Sequence, residues 1–262
     1  MIHIIGGKGF VGSACARACR SAGLDYEIID RSNYSLFRAR PCDVLINANG
    51  NSKKYLATRD PEAEFQASVA TVRASLEDFD YKKYVLISTC DVYPDCSSPL
   101  TTKEDCDLQV ATQSPYGFHK YLAELCVKHH AHDWLIFRLG GSVGPGLKKN
   151  PVFDILTGGP LWLDPSSELQ FLSTDEAAEI ILKIVALGST GQTYNVCGEG
   201  TMALSAIIDL AGARVSVQPG SPRVRYEVSI DKVKRLVPVS STVGTIKRFV
   251  TDVKAGRLSL IG

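Results

Sequence analysis

The opening of the chain constrains its fold more tightly than any other stretch. An apolar run from Ile2 to Ile5 ends on Gly6-Gly7-Lys8-Gly9-Phe10-Val11-Gly12, and small residues with helical spacing follow from Ser13 to Ala22. A strand, a glycine turn and a helix in that order aim backbone N–H groups and the positive end of the helix dipole at one point, where a pyrophosphate can be held. Gly6 permits the turn, Gly9 the close approach of phosphates and Gly12 the packing of helix on strand, while Phe10 and Val11 open the helix. A second apolar run, Tyr26 to Ile29, ends on Asp30, about 20 residues past the loop, where a carboxylate accepts both hydroxyls of an adenosine ribose. That favours NAD. Arg31 beside it can pair with a 2′-phosphate, which leaves NADP open, and both residues also read as an ordinary strand-end turn.

The same alternation continues. Apolar runs at Val44 to Ile46, Tyr84 to Ile87 and Trp134 to Phe137 interleave with helical spacing at Val11 to Ala22, Pro61 to Phe79, Pro115 to His130 and Thr174 to Leu187. Short strands without polar alternation belong to parallel sheets covered on both faces, so the pattern predicts an α/β fold, a Rossmann-type doubly wound parallel sheet. Beyond Gly140 the character changes, with GGSVGPG at 140–146, TGGP at 157–160 and weak strand signals at Leu161 to Leu163 and Leu169 to Leu172. We expect a core over 1–144, rejoined by 170–197 with a short strand at Thr193 to Val196, and a small C-terminal cap from 145–169 and 198–262 that binds substrate.

Composition excludes several classes. With 29 basic and 28 acidic residues the net charge is +1, and the doublets Lys53-Lys54, Lys82-Lys83 and Lys148-Lys149 are scattered, so no basic stripe marks a nucleic-acid partner. Apolar runs such as Glu179 to Leu187 fall well short of the roughly 20 residues that span a bilayer, so no membrane partner is expected. Nothing basic precedes Ile2 to Ile5, which reads as a strand and not as a secretory signal. Eight cysteines without C-x-x-C fit reduced thiols in a cytoplasm, and His129, His130 and His132 lack further ligands at metal spacing, so no metal is expected.

Two further segments carry chemistry. Tyr84 to Ser88 delivers Thr89 at the C-terminal end of a strand, where open α/β sheets place ligands. Tyr116 and Lys120, four apart, share one face of a helix, so an ammonium can sit beneath the phenol. Bringing a phenol with a pKa near 10 down to about 7 takes about 4 kcal/mol of differential stabilisation, which a lysine and a nicotinamide cation can supply. Tyr116 would then be the general acid or base toward a carbinol, with Thr89 bonded to the same oxygen and Lys120 also on the nicotinamide ribose.

At this level the chain resembles an extended short-chain dehydrogenase/reductase of the NAD-dependent epimerase/dehydratase family. The resemblance rests on GGKGFVG at 6–12, Asp30, CDVLINANG at 42–50, YVLISTCDVYP at 84–94, SPYGFHKYLAE at 114–124, FRLGGSVGPG at 137–146 and QFLSTDEAAEI at 170–180. It implies that Asp43 and Val44 contact the adenine, that Asn47, Ala48 and Asn49 line the cofactor loop, and that Thr89, Tyr116 and Lys120 are the triad. It also implies a homodimer through the helices near 61–79 and 115–130. Three positions depart from the family: Ser68 replaces an asparagine, Gly141 replaces an asparagine that touches a substrate diphosphate, and Thr89-Cys90-Asp91 replaces the Thr-Asp-Glu of sugar 4,6-dehydratases. A thiol is a poor acid for dehydration. Asp91 is a substrate-contact candidate, and Arg223 and Arg225, two apart on a predicted strand, are candidate cations for a nucleotide diphosphate. The function expected is a nucleotide-sugar epimerase, with an NAD(P)H-dependent ketoreductase and a non-catalytic cofactor-binding regulator as alternatives.

Overall fold

The computed structural model describes residues 1–51 and 53–260, so the last two positions of the expected cap lie outside the described residues. Chain order is β1 (Ile2–Ile5), α1 (Phe10–Ser21), β2 (Tyr26–Ile29), β3 (Cys42–Asn47), α2 (Pro61–Phe65), α3 (Thr71–Asp78), β4 (Tyr81–Thr89), α4 (Pro115–His130), β5 (Trp134–Leu139), β6 (Gly141–Val143), α5 (Pro151–Thr157), β7 (Glu168–Leu169), β8 (Phe171–Ser173), α6 (Thr174–Ala186), β9 (Gln192–Val196), β10 (Met202–Ala203), α7 (Leu204–Ala211), β11 (Arg225–Tyr226) and α8 (Thr242–Lys254), joined by shorter turns.

Six strands form one sheet in the order β2-β1-β3-β4-β5-β9, every neighbouring pair parallel. The order reverses between β1 and β3. A crevice opens at such a point outside the carboxyl ends of the strands, so Gly6, Asn47 and Thr89 all emerge on one rim. All four residues of β1 are buried because helices cover both faces. On one face α1 and α6 share a core; α1 turns Ala14, Cys15, Ala18 and Cys19 inward, and side chains this small let the two helices lie close together. On the other face α3 and α4 pack over Leu45, Tyr84, Leu86 and Ile136.

Local chemistry sets the helix ends. Ser114 accepts from the Gly117 N–H and Pro115 occupies the first turn, so α4 begins where its donors find partners. Asp60 and Pro61 do the same for α2. The single helix expected over Pro61 to Phe79 is instead α2, a π-helical turn over Gln66–Ala70, and α3. The strand expected over Leu161 to Leu163 is a single bridge from Leu161 to Val217, and Leu169 to Leu172 divides between β7 and β8. A third core gathers Val143, Val152, Ile155, Phe171, Leu204, Ile207, Ile246 and Phe249 beyond the carboxyl rim.

Candidate active site

Gly6 sits at φ +75°, and a Cβ there would stand 3.0 Å from the Ala48 carbonyl oxygen. Gly12 is tighter still, since its Cβ would lie 2.2 Å from the Gly6 oxygen. These contacts let α1 start against the rim, and Gly9, at its N-cap, offers no side chain to occupy the first-turn N–H groups. A backbone cradle that any Cβ would fill, facing donors that no side chain caps, fits a pyrophosphate. Phe10 and Val11 lend their amides to that turn while their side chains pack into the third and first cores.

Asn47 is buried, and its Nδ2 donates to Ser75 Oγ at 3.1 Å and Tyr84 Oη at 2.8 Å while its Oδ1 accepts from Asn49 N at 3.0 Å. It shapes the loop from beneath. Ala48 and Asn49 then lie against Gly6. Asp30, at the end of β2, is tied to Lys8 of the glycine loop and accepts from Ser32 N at 2.8 Å. Lys8 first and Ser32 second hold its carboxyl far below the usual range. Arg31 is exposed beside it.

Asp43 and Val44 do not reach the crevice. Asp43 bonds the Met1 amine and Lys82 Nζ, each at 2.7 Å, and Lys82 first, then the amine, brings its carboxyl down to about 2. Val44 pairs with Ile2 at the start of β1, whereas Asn47 pairs with Ile5 at its end. Three residues of strand, roughly 10 Å, separate Val44 from the ligand-bearing rim, so the adenine contact expected of both residues is corrected.

Thr89 ends β4, its Oγ1 donating to Asp91 Oδ2 at 2.9 Å and accepting from Asp91 N at 3.2 Å. A Cβ on Gly117 would stand 2.0 Å from the Asp91 carbonyl oxygen, so only glycine lets α4 dock on this turn. Docking brings Tyr116 to the Thr89–Asp91 turn, and Lys120 lies one turn further along. Burial pushes the Tyr116 phenol up, and the charges of Asp91 and Glu64 add to it. Lys120 is 4% exposed, donates to the Ile87 carbonyl at 3.3 Å, and is shifted down by burial, with Glu124, Glu64 and Asp91 acting against that shift. Gly50 closes the group, its would-be Cβ 3.4 Å from Lys120 Nζ.

Two partners of Asp91 escaped the sequence reading. Lys54 Nζ lies 2.7 Å from its carboxylate, although the Lys53-Lys54 doublet reads as surface. Tyr226 Oη lies 3.5 Å away. Because strand neighbours point to opposite faces, Tyr226 turned toward Asp91 sends Arg225 the other way, and Arg225 is locked to Glu168 and Glu227. Arg223 falls outside β11 and is exposed. The expected diphosphate grip by Arg223 and Arg225 is therefore corrected: β11 offers the crevice Tyr226.

Residues 2–197 match the family described as the NAD dependent epimerase/dehydratase family, three quarters of the chain. The chain belongs to that family. No curated protein matches this family member. Among solved structures it is similar to a UDP-galactose 4-epimerase (TM-score 0.81, 19% identity, 97% of this chain and 99% of that one). It is also similar to MoeE5 in complex with UDP-glucuronic acid and NAD (0.83, 14%, 98% and 98%). A third likeness is to RMD from Pseudomonas aeruginosa complexed with NADPH (0.79, 18%, 97% and 99%). These likenesses establish the fold.

Each departure of this epimerase/dehydratase-family chain has a packing reason. A Cβ on Gly141 would stand 2.4 Å from the Gln170 carbonyl, so the β6–β8 pairing leaves no room for an asparagine. Cys90 points into the core, 3.6 Å from Cys197 Sγ and 3.3 Å from the Arg138 carbonyl, and burial pushes its thiol far up. It is inert. Ser68 is fully buried and donates to Glu64.

Proposed function

We propose that this chain is a nucleotide-sugar epimerase that uses NAD, with Thr89, Tyr116 and Lys120 as its catalytic residues. The observation that carries this reading is the convergence of the glycine cradle, the end of β4 and the first turn of α4 on one rim of the sheet. Tyr116 takes the proton of a carbinol and returns it. Thr89 donates to the same oxygen, and the Lys120 ammonium lowers the cost of the phenolate that burial raises. Bound at the cradle, NAD supplies the hydride acceptor and the positive nicotinamide ring. Gly6, Gly9, Phe10, Val11 and Gly12 hold the pyrophosphate through their backbone, Asp30 takes the adenosine ribose, and Ala48 and Asn49 line the path between them over Asn47. Segments 145–169 and 198–260 form the substrate cap, with Asp91 and Tyr226 on its catalytic wall.

One observation favours a second reading. Lys8 engages Asp30 and Arg31 stands exposed beside it, a pair of cations suited to a 2′-phosphate and hence to a ketoreductase that consumes NADPH. The test is a panel of UDP-glucose, UDP-galactose and UDP-glucuronate with catalytic NAD, products read by NMR. Interconversion of epimers without net cofactor consumption is expected; stoichiometric loss of NADPH with a keto sugar and no epimerisation would replace the epimerase with the reductase.

We place the protein in the cytoplasm, a reading supported by cysteines that are all free among the described residues. No helix among those residues is long and apolar enough to cross a membrane. We further propose a homodimer. What supports it is the apolar groove between Phe65, Val69, Leu122 and Leu125, which lies on the two helical segments expected at the interface. Light scattering is expected to give twice the chain mass.

A further inference from the structure

Glu64 is an acid that this reading leaves unused although its side chain is wholly buried. A carboxylate at zero exposure is costly unless it is paired and hydrogen-bonded, and Glu64 is both. Ser68 Oγ donates to one oxygen and His119 Nδ1 contacts the other. Ser68 belongs to the π-helical turn after α2, and such turns mark places where a helix bends to reposition a side chain. His119 belongs to α4, three residues after Tyr116 and one before Lys120. Its ring packs edge-on against Phe65 at 5.5 Å and lines an open cleft of about 520 Å³ with Pro115 and Phe118. Glu124, the other wholly buried acid among the described residues, has a structural partner in Arg138 and ties α4 to β5. Glu64 instead grips the same helix beside its reactive face.

We propose that Glu64, clamped between His119 and Ser68, is a positioning residue that fixes the rotation of α4 and sets the charge balance of the Tyr116–Lys120 pair. A helix gripped at His119 cannot roll, so Tyr116 and Lys120 stay aimed at Thr89. The carboxylate also acts at a distance. Among the groups that face the pair, Asp91 stands on the turn after β4 with Lys54 on its carboxylate, Glu124 stands on α4 with Arg138 against it, and Glu64 stands on α2. The negative charge of Glu64 makes both Tyr116 and Lys120 hold their protons more tightly. For the lysine this opposes burial and preserves the ammonium on which the phenolate depends.

The proposal rests on Tyr116 and Lys120 being the acid/base pair at a NAD site, and its test does not need the sugar. Proton release on binding NAD+ is measured by calorimetry across pH, in buffers of differing ionisation enthalpy, for wild type, Glu64→Gln and Glu64→Asp. Losing the carboxylate charge moves both titrations toward lower pH, so Glu64→Gln shifts the release curve downward by about half a pH unit or more. Glu64→Asp, which keeps the charge, stays with wild type. Should Glu64→Gln fail to fold, Ser68→Ala and His119→Gln, each of which takes one partner from the clamp, are measured in the same way, and both are expected to shift the release curve away from that of wild type because α4 is no longer held. Glu64→Gln and Glu64→Asp curves that coincide, or Ser68→Ala and His119→Gln curves that both match wild type, overturn the proposal. Failure of NAD+ to bind wild type overturns the site reading and the proposal with it, whereas binding without sugar turnover removes only the epimerase.

Discussion

Two ion-paired arginines, one on β5 of the main sheet and one on β11, handle charge in opposite ways. In the sheet, Arg138 is 1% exposed and meets Glu124 in two directions, with Tyr93 Oη on its third nitrogen at 2.8 Å. On β11, Arg225 meets Glu168 and Glu227 with its side chain half exposed. The first arrangement is costly to break, because one partner left alone keeps a buried charge; the second is screened by water. A rigid, fully paired arginine therefore sits against α4 beside Lys120, and a loose one sits at the surface on β11.

That contrast can be broken at its strongest point first. Arg138→Met should cost about 3–5 kcal/mol in urea unfolding, since it strands Glu124; a loss below about 1 kcal/mol would erase the distinction between the two arginines. Next, Tyr116→Phe should lower turnover roughly 10²-fold or more while melting temperature and NAD affinity hold, as measured by steady-state kinetics and calorimetry. Asp30→Ala comes third and tests the rim itself. It should erode the preference for NAD over NADP by about tenfold, and tighter NADP binding by wild type would hand the site to Lys8 and Arg31. Arg225→Ala should be the smallest, within about 0.5 kcal/mol of wild type in stability and without effect on turnover. An effect on KM for a nucleotide sugar would restore Arg225 to the crevice.

Much of the sheet and its rim could be read from residues alone because both rest on local signals. Ile2 to Gly12 and Ser114 to Lys120 each state a turn, a cap and a helix within a few positions, and the structure places them so. Asp43 misled because a motif match carries no sense of which end of a strand it occupies; its position at the start of β3, four residues before Asn47, was the available signal. Arg225 misled because β11 is two residues long, and its facing is set by pairing with β7 instead of by its own alternation. The Glu64–His119 clamp joins positions 55 apart, and no local pattern announces it. The π-helical turn over Gln66–Ala70 likewise has no local signal in the sequence.

The contact between Tyr226 and Asp91 bridges 135 positions of chain. During synthesis β1 through β5 can pair once Leu139 has emerged, and the glycine cradle, Thr89, Tyr116 and Lys120 are by then in place. The wall that Tyr226 builds still awaits most of another hundred residues, and the edge of β5 stays open until β9 arrives. Long-range parallel pairing is slow to form. A nascent chain thus acquires its glycine cradle well before the contact of Tyr226 with Asp91, and for that interval the exposed β5 edge is the surface that a chaperone would have to shield.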